Sequence, residues 1–259
     1  MTHSDAEQTK TSRPAAIILA GGRGERLRPY TDDRPKPMVE VDGIPLIAYL
    51  LGWLKKHDVK QVVLSCGYRW QVLQSKLGTG EHWGLDIRYA VERERLGRGG
   101  GIRFAMQSTG LDHPEAGPVV VTNGDNLLDI DLNAMLEQHA KTRAMVTLAL
   151  APLVSARGIV DIDSRDRVTG FREKPELPYW INAGVYLLNP SVADRLPAKG
   201  DHEEELFPQL AAEGRLAAYK TRQLWRTVDT AKDLTTLTDE LHAGLDVPCL
   251  DWTKHTSQP

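Results

Sequence analysis

Apolar residues follow two rhythms along this chain. Short continuous runs at residues 15–20 (AAIILA), 61–65 (QVVLS) and 118–122 (PVVVT) are flanked by polar, glycine or proline residues and read as strands buried on both faces. Residues 46–56 (LIAYLLGWLKK) instead carry apolar positions at helical spacing and end on two lysines, which suits the negative end of a helix. Residues 72–77, 102–107 and 132–141 predict further helices, and 86–91 and 145–151 further strands. Strand and helix thus alternate up to residue 151, the pattern of a parallel sheet covered by helices on both faces. The second half changes character. Its strands, at 159–163, 168–173 and 183–188, are shorter and more polar with turn residues between them, and helices at 206–212 and 233–243 close the chain.

The fold class expected is therefore α/β: a Rossmann-like, mixed but mostly parallel sheet flanked by helices, with a smaller β-rich part. Residues 1–13 read as a flexible polar leader and 248–259 as a loosely held tail. The single domain between them, 14–247, divides into halves at about residue 150.

Composition narrows the function. With 32 basic and 35 acidic residues the net charge is −3, which argues against a nucleic-acid or membrane surface, so an anionic ligand needs local cations. No apolar run approaches the ~20 residues of a spanning helix, and the first residues lack an apolar signal core. Two cysteines, Cys66 and Cys249, lie far apart without metal-ligand spacing, as suits a reducing cytosol, and the expected location is cytoplasmic.

Four motifs carry chemistry. The first strand runs into Leu19-Ala20-Gly21-Gly22-Arg23-Gly24. Such glycines serve a phosphate cradle or merely a tight turn; Arg26, two residues beyond Gly24, favours phosphate because a guanidinium grips its oxygens as a fork. The turn is neither a Walker loop nor a dinucleotide fingerprint. In Arg34-Pro35-Lys36-Pro37, prolines fix the backbone on both sides of one lysine. In Asn123-Gly124-Asp125, an acid follows the end of a buried strand, placed either to hold Mg²⁺ or to close an ordinary turn. Phe171-Arg172-Glu173-Lys174-Pro175 offers a second lysine before a proline, or only a charged hairpin end.

Taken in order, LAGGRGERLRP, RPKPMVEV, NGD, FREKP and Ile181-Asn182-Ala183-Gly184 resemble the motifs of the sugar-1-phosphate nucleotidylyltransferases, from about residue 15 to residue 241. Residues 91–103 most resemble the mannose-1-phosphate and heptose-1-phosphate guanylyltransferases within that family. The resemblance implies Mg²⁺-dependent attack of a sugar 1-phosphate on the α-phosphorus of a nucleoside triphosphate, with release of pyrophosphate. GTP is the first candidate, with UTP, CTP or dTTP as alternatives, and the acceptor is a hexose, heptose or cyclitol phosphate. The first half of the domain is then the nucleotide half and the second the sugar-phosphate half. Carried across, the nucleotide falls to Leu19, Gly21, Gly22, Gly24, Arg26, Lys36, Glu92 and Gly97; the sugar phosphate to Gly124, Glu173, Lys174 and Asn182. Arg26, Lys36 and Asp125 are the catalytic set. A homodimer is one candidate assembly, and the sequence leaves the oligomeric state open.

Two departures from the family pattern stand out. The second metal-ligand position aligns with Thr227, and Asp229 stands where a glycine is usual; because residues two apart on a strand face the same way, Asp229 is the expected partner of Asp125, the bland alternative being that it caps the following helix. Arg98 replaces a threonine and either pairs with a ligand phosphate or is solvated. The first departure leaves room for a catalytically silent homologue that only binds sugar nucleotides. A nicotinamide oxidoreductase would lack its fingerprint and its acidic ribose partner.

Overall fold

A computed structural model describes residues 14–252. Its strands and helices, in chain order, are β1 (Ala15–Leu19), β2 (Glu40–Val41), β3 (Ile44–Pro45), α1 (Leu46–Lys56), β4 (Gln61–Cys66), α2 (Trp70–Leu77), β5 (Asp86–Val91), α3 (Gly97–Thr109), β6 (Val119–Asn123), β7 (Asn126–Leu128), α4 (Leu132–Thr142), β8 (Val146–Val154), β9 (Ile159–Ile162), β10 (Val168–Arg172), β11 (Glu176–Leu188), α5 (His202–Glu205), α6 (Phe207–Ala212), β12 (Leu216–Lys220), β13 (Trp225–Thr227) and α7 (Ala231–His242).

Seven strands form the main sheet in the order β12-β8-β11-β6-β1-β4-β5. Every neighbouring pair is parallel except those of β11, which runs antiparallel to β6 and β8. The sheet is mixed and mostly parallel, as expected. Alternation along β1 shows how the two faces are covered. Ala16 and Ile18 join Val62 and Leu64 under α1, α2 and α4, whereas Ala15 and Ile17 join Val63 under α3 and α6. All these β1 residues are nearly or fully buried, which is why the strand reads as an unbroken apolar run rather than an alternating one.

A third cluster fixes the site-bearing loops. Leu27, Val39 and Val41 from the loops after β1 meet Val228, Leu234 and Leu237 at the start of α7 and just before it. Each such apolar side chain contributes about 1.5–3 kcal/mol when buried. The short segments on either side of the cavity described below are thereby joined in one apolar cluster.

Some elements differ from the sequence reading. α3 begins at Gly97, earlier than residue 102, because its glycines are packing residues: a Cβ on Gly99 would meet His202 N and Pro197 at 2.7 Å. β11 is longer than 183–188; its first half, residues 176–182, carries apolar residues but is only partly buried. β7, β12 and β13 were not foreseen. The leader, residues 1–13, and residues 253–259 of the tail lie outside the described residues. Residues 249–252, expected to be loose, are docked instead. The Leu250 N–H donates to the Ala48 carbonyl at 3.0 Å, and Trp252 stacks on Trp83 with ring centres 5.5 Å apart. Among the described residues no helix is long and apolar enough to cross a membrane.

Candidate active site

A cavity of about 270 Å³ opens where β1, β4, β5 and β6 end. This carboxyl edge is where open parallel sheets receive ligands. Leu19, Gly21, Gly22 and Lys36 line it, together with Glu92, Gly97, Gly124 and Asp125. Gly24, Arg26 and Asp229 stand at its margin through the contacts described next.

The glycines of the first turn have different causes. Gly24 has φ +62°, and a Cβ there would press on Thr31 at 2.9 Å and on the Lys36 stem at 3.2 Å, so the turn itself demands glycine. Around Gly22, by contrast, a Cβ would meet nothing within 4 Å. The packing of the protein itself therefore does not require glycine there. Gly124 wedges under β1, its N–H donating to the Leu19 carbonyl at 2.9 Å, and a Cβ would strike that same oxygen at 2.6 Å. The crossing turns Asp125 inward.

Lys36 is the centre of the charge arrangement. Pro35 caps a short 3₁₀ turn, and Pro37 and Met38 are buried, so the lysine stem has a fixed origin. Its Nζ lies 2.5 Å from Asp125 Oδ2 and 2.7 Å from Asp229 Oδ1. Arg26, itself largely exposed, reaches the same Asp229 oxygen at 2.8 Å. Asp125 Oδ1 is buried without a hydrogen-bond partner. Backbone contacts set the spacing of the two acids: Thr227 pairs with Asn126 across β13 and β7, and Val228 N–H donates to the Asp125 carbonyl at 3.1 Å. The cap of α7 is Thr230, whose hydroxyl accepts from Asp233 N–H while Asp233 reaches back to the backbone of Thr230. The Asp229 carboxylate is therefore not the helix cap.

On the far side of the cavity, Glu92 accepts from Ser65 Oγ at 3.2 Å and from the Leu96 N–H at 3.1 Å. Cys66, at the end of β4, is fully buried, and burial pushes its thiol up to about 12, so it supplies no nucleophile.

The expected sugar side is arranged differently. Glu173, Lys174 and Asn182 do not line the cavity. They lie further out beyond the same carboxyl edge, since β11 continues there against the end of β8. Lys174 is exposed and takes a positive φ of 44° between β10 and β11. Asn182 is internally committed: its amide donates to Tyr186 Oη at 2.9 Å and Glu203 Oε1 at 2.8 Å, while its carbonyl oxygen accepts from the Gly184 N–H. Arg98 lines the cavity but is neither a free phosphate ligand nor solvated alone; it binds Asp201 at 2.6 Å and Glu203 at 2.7 Å. Glu203 thus joins Arg98 to Asn182. Sequence reading missed it because a run of three glutamates looks like a solvated face. It also missed Ser65 and Arg95, both lining the cavity; Ser65 ends a strand recognised as buried and was discoverable from that alone.

Behind this network, His202 is buried, with neither ring nitrogen hydrogen-bonded, edge-on to Tyr186 and Phe207. Burial pushes its pKa down to about 4, against the upward pull of Glu203 and Asp201. The folded value lies below the unfolded one, so between about 6.5 and 4 the unfolded chain takes up a proton that the fold refuses. Stability therefore falls as pH drops through that window, by about 3 kcal/mol at its lower end. His202→Phe should flatten this dependence. Denaturant midpoints at pH 7 and pH 4.5 check it, and an unchanged slope would show that other groups carry the acid sensitivity.

Comparison with known proteins bears on this geometry. The family model described as nucleotidyl transferase matches residues 15–244. The chain belongs to the nucleotidyl transferase family. A mannose-1-phosphate guanylyltransferase of Mycobacterium tuberculosis is 36% identical over 91% of this chain, which spans 66% of that relative's length. A D-glycero-alpha-D-manno-heptose 1-phosphate guanylyltransferase of Aneurinibacillus thermoaerophilus is 38% identical over 74% of this chain and 83% of its own. Among solved structures, HddC from Yersinia pseudotuberculosis superposes with a TM-score of 0.69 at 25% identity, covering 88% of this chain and 99% of that one. As a nucleotidyl transferase, the chain carries its glycine turn, Lys36 and the Asp125 turn within the matched segment, and Asp229 as well.

Proposed function

We propose that this nucleotidyl transferase joins a nucleoside triphosphate, GTP first, to a sugar 1-phosphate, giving a nucleoside diphosphate sugar and pyrophosphate. The observation that carries the reading is the convergence of Asp125 and Asp229 on one cation position beside a bare glycine turn. The guanylyltransferase names of the two curated relatives support GTP over the other nucleotides. The domain halves proposed are nucleotide-binding to about residue 150 and sugar-phosphate-binding thereafter, and a cytoplasmic location fits both substrates.

The residues present fit a divalent cation, with Mg²⁺ proposed. Asp125 and Asp229 supply hard oxygens, and one of them, Asp125 Oδ1, is buried and unpartnered. Among the described residues no group of three or more metal-ligating side chains exists. Two carboxylates completed by substrate phosphates and water is how Mg²⁺ is ordinarily held at nucleotide sites. Bound there, the ion would neutralise charge on the phosphate oxygens.

The protein's own residues do the rest. Backbone N–H groups around Gly21 and Gly22 cradle the triphosphate. Lys36 and Arg26 offset the repulsion between two polyanions and stabilise charge at the α-phosphorus. A sugar-phosphate oxygen bonds to that phosphorus while the bond to the pyrophosphate oxygen breaks. The attacking oxygen is already ionised, so no general base is required. Lys174, exposed between β10 and β11, is proposed to meet the sugar phosphate. Lys174→Ala should raise the KM for sugar phosphate roughly tenfold or more with little change in the KM for nucleotide. An effect confined to the nucleotide would refute that role.

The deciding experiment is pyrophosphate release with GTP, UTP, CTP and dTTP against hexose, heptose and cyclitol 1-phosphates. Release with GTP above the others supports the reading. Binding without release from any pair would favour a silent sugar-nucleotide-binding protein instead.

A further inference from the structure

We propose that Lys36 and a divalent cation compete for the same carboxylate pair, so that the metal enters with the triphosphate and not before it. This rests on the assignment of Asp125 and Asp229 as the metal pair. The geometry is direct: Nζ lies 2.5 Å from Asp125 Oδ2 and 2.7 Å from Asp229 Oδ1. An ion held by those two atoms would take the same oxygens, at about 2.0–2.1 Å, that now hold Nζ. One occupant excludes the other.

The charge count gives the exchange its direction. Lys36 and Arg26 bring two positive charges to the two negative charges of Asp125 and Asp229, and the four groups neutralise one another. A dication alone must evict the lysine from two close contacts and leave it facing another cation. A dication carried on a triphosphate offers the displaced Nζ an anion to move to, and brings ligand oxygens that the protein lacks. The lysine that neutralises the acids is thus handed to the phosphates when the acids are taken. A lysine side chain turns about four rotatable bonds, while the Lys36 backbone is held by Pro35 and Pro37.

The test uses Mn²⁺ and the full chain, without nucleotide, with free Mn²⁺ followed by electron paramagnetic resonance. Lys36→Met should bind Mn²⁺ roughly tenfold or more tighter than the unaltered protein. Adding Asp125→Asn should abolish that gain. The rise in Tm on adding Mn²⁺ should likewise be larger for Lys36→Met. Should that variant not fold, Lys36→Gln gives the same comparison with a polar, uncharged tip. Equal Mn²⁺ affinity with and without Lys36, or a gain that survives Asp125→Asn, would overturn the proposal. That failure is distinct from failure of the functional reading, which would appear as no metal-dependent pyrophosphate release with any substrate pair.

Discussion

Lys36→Ala is expected to lower turnover by roughly 10²–10³-fold, the loss seen when one preorganised donor to a developing charge is removed. The lysine is largely shielded, rooted in a turn fixed by two prolines, and aimed at the acids that border the glycine cradle. Most of the loss should fall on kcat, since charge at the α-phosphorus is greatest in the transition state. Binding of nucleotide should weaken less. The fold should persist, because the side chain supports no apolar cluster and the surrounding turn is held by Pro37, Met38 and Val39. Steady-state kinetics beside a thermal melt checks both halves of the expectation. Unchanged turnover in a folded variant would remove Lys36 from the chemistry.

Asp229→Ala should raise the metal concentration needed for half-maximal rate by roughly tenfold or more, whereas Thr227→Ala should move it little. The alignment of family motifs alone favours Thr227. The fold favours Asp229, because its oxygen lies 2.7 Å from the same nitrogen that Asp125 contacts, while Thr227 pairs along β13 with Asn126. Titrating the metal at saturating substrates distinguishes the two. The reverse ranking would move the ligand back to the aligned position.

The buried strands and the helices of the first half were legible because burial on both faces leaves a continuous apolar run, as in Ala15–Leu19. Lys36 was legible because prolines restrict the backbone on both sides of it, and the glycine turn and Asp125 because they follow the ends of apolar strands. What sequence could not give were the partnerships. Arg98 looked like a cation in search of a phosphate; only the fold reveals Asp201 and Glu203, more than a hundred residues away, already neutralising it. The motif alone assigns Asn182 to the sugar phosphate; only the fold shows that its amide donates to Tyr186 and Glu203. α3 looked shorter than it is because glycine is a poor helix former, and the close approach of residues 197–202 that makes glycine necessary is a tertiary fact. Trp252 shows the same limit at the other end: its neighbours are polar, and nothing local announces that it stacks on Trp83.

The three-pair ladder between β7 and β13 behaves as a calliper. Asp125 and Asp229 hang from backbone rungs that any residue can make, so the gap between their carboxylates is insensitive to which side chains line the pocket around them. Substitutions that reshape the pocket can then accumulate without altering the spacing of these two acids.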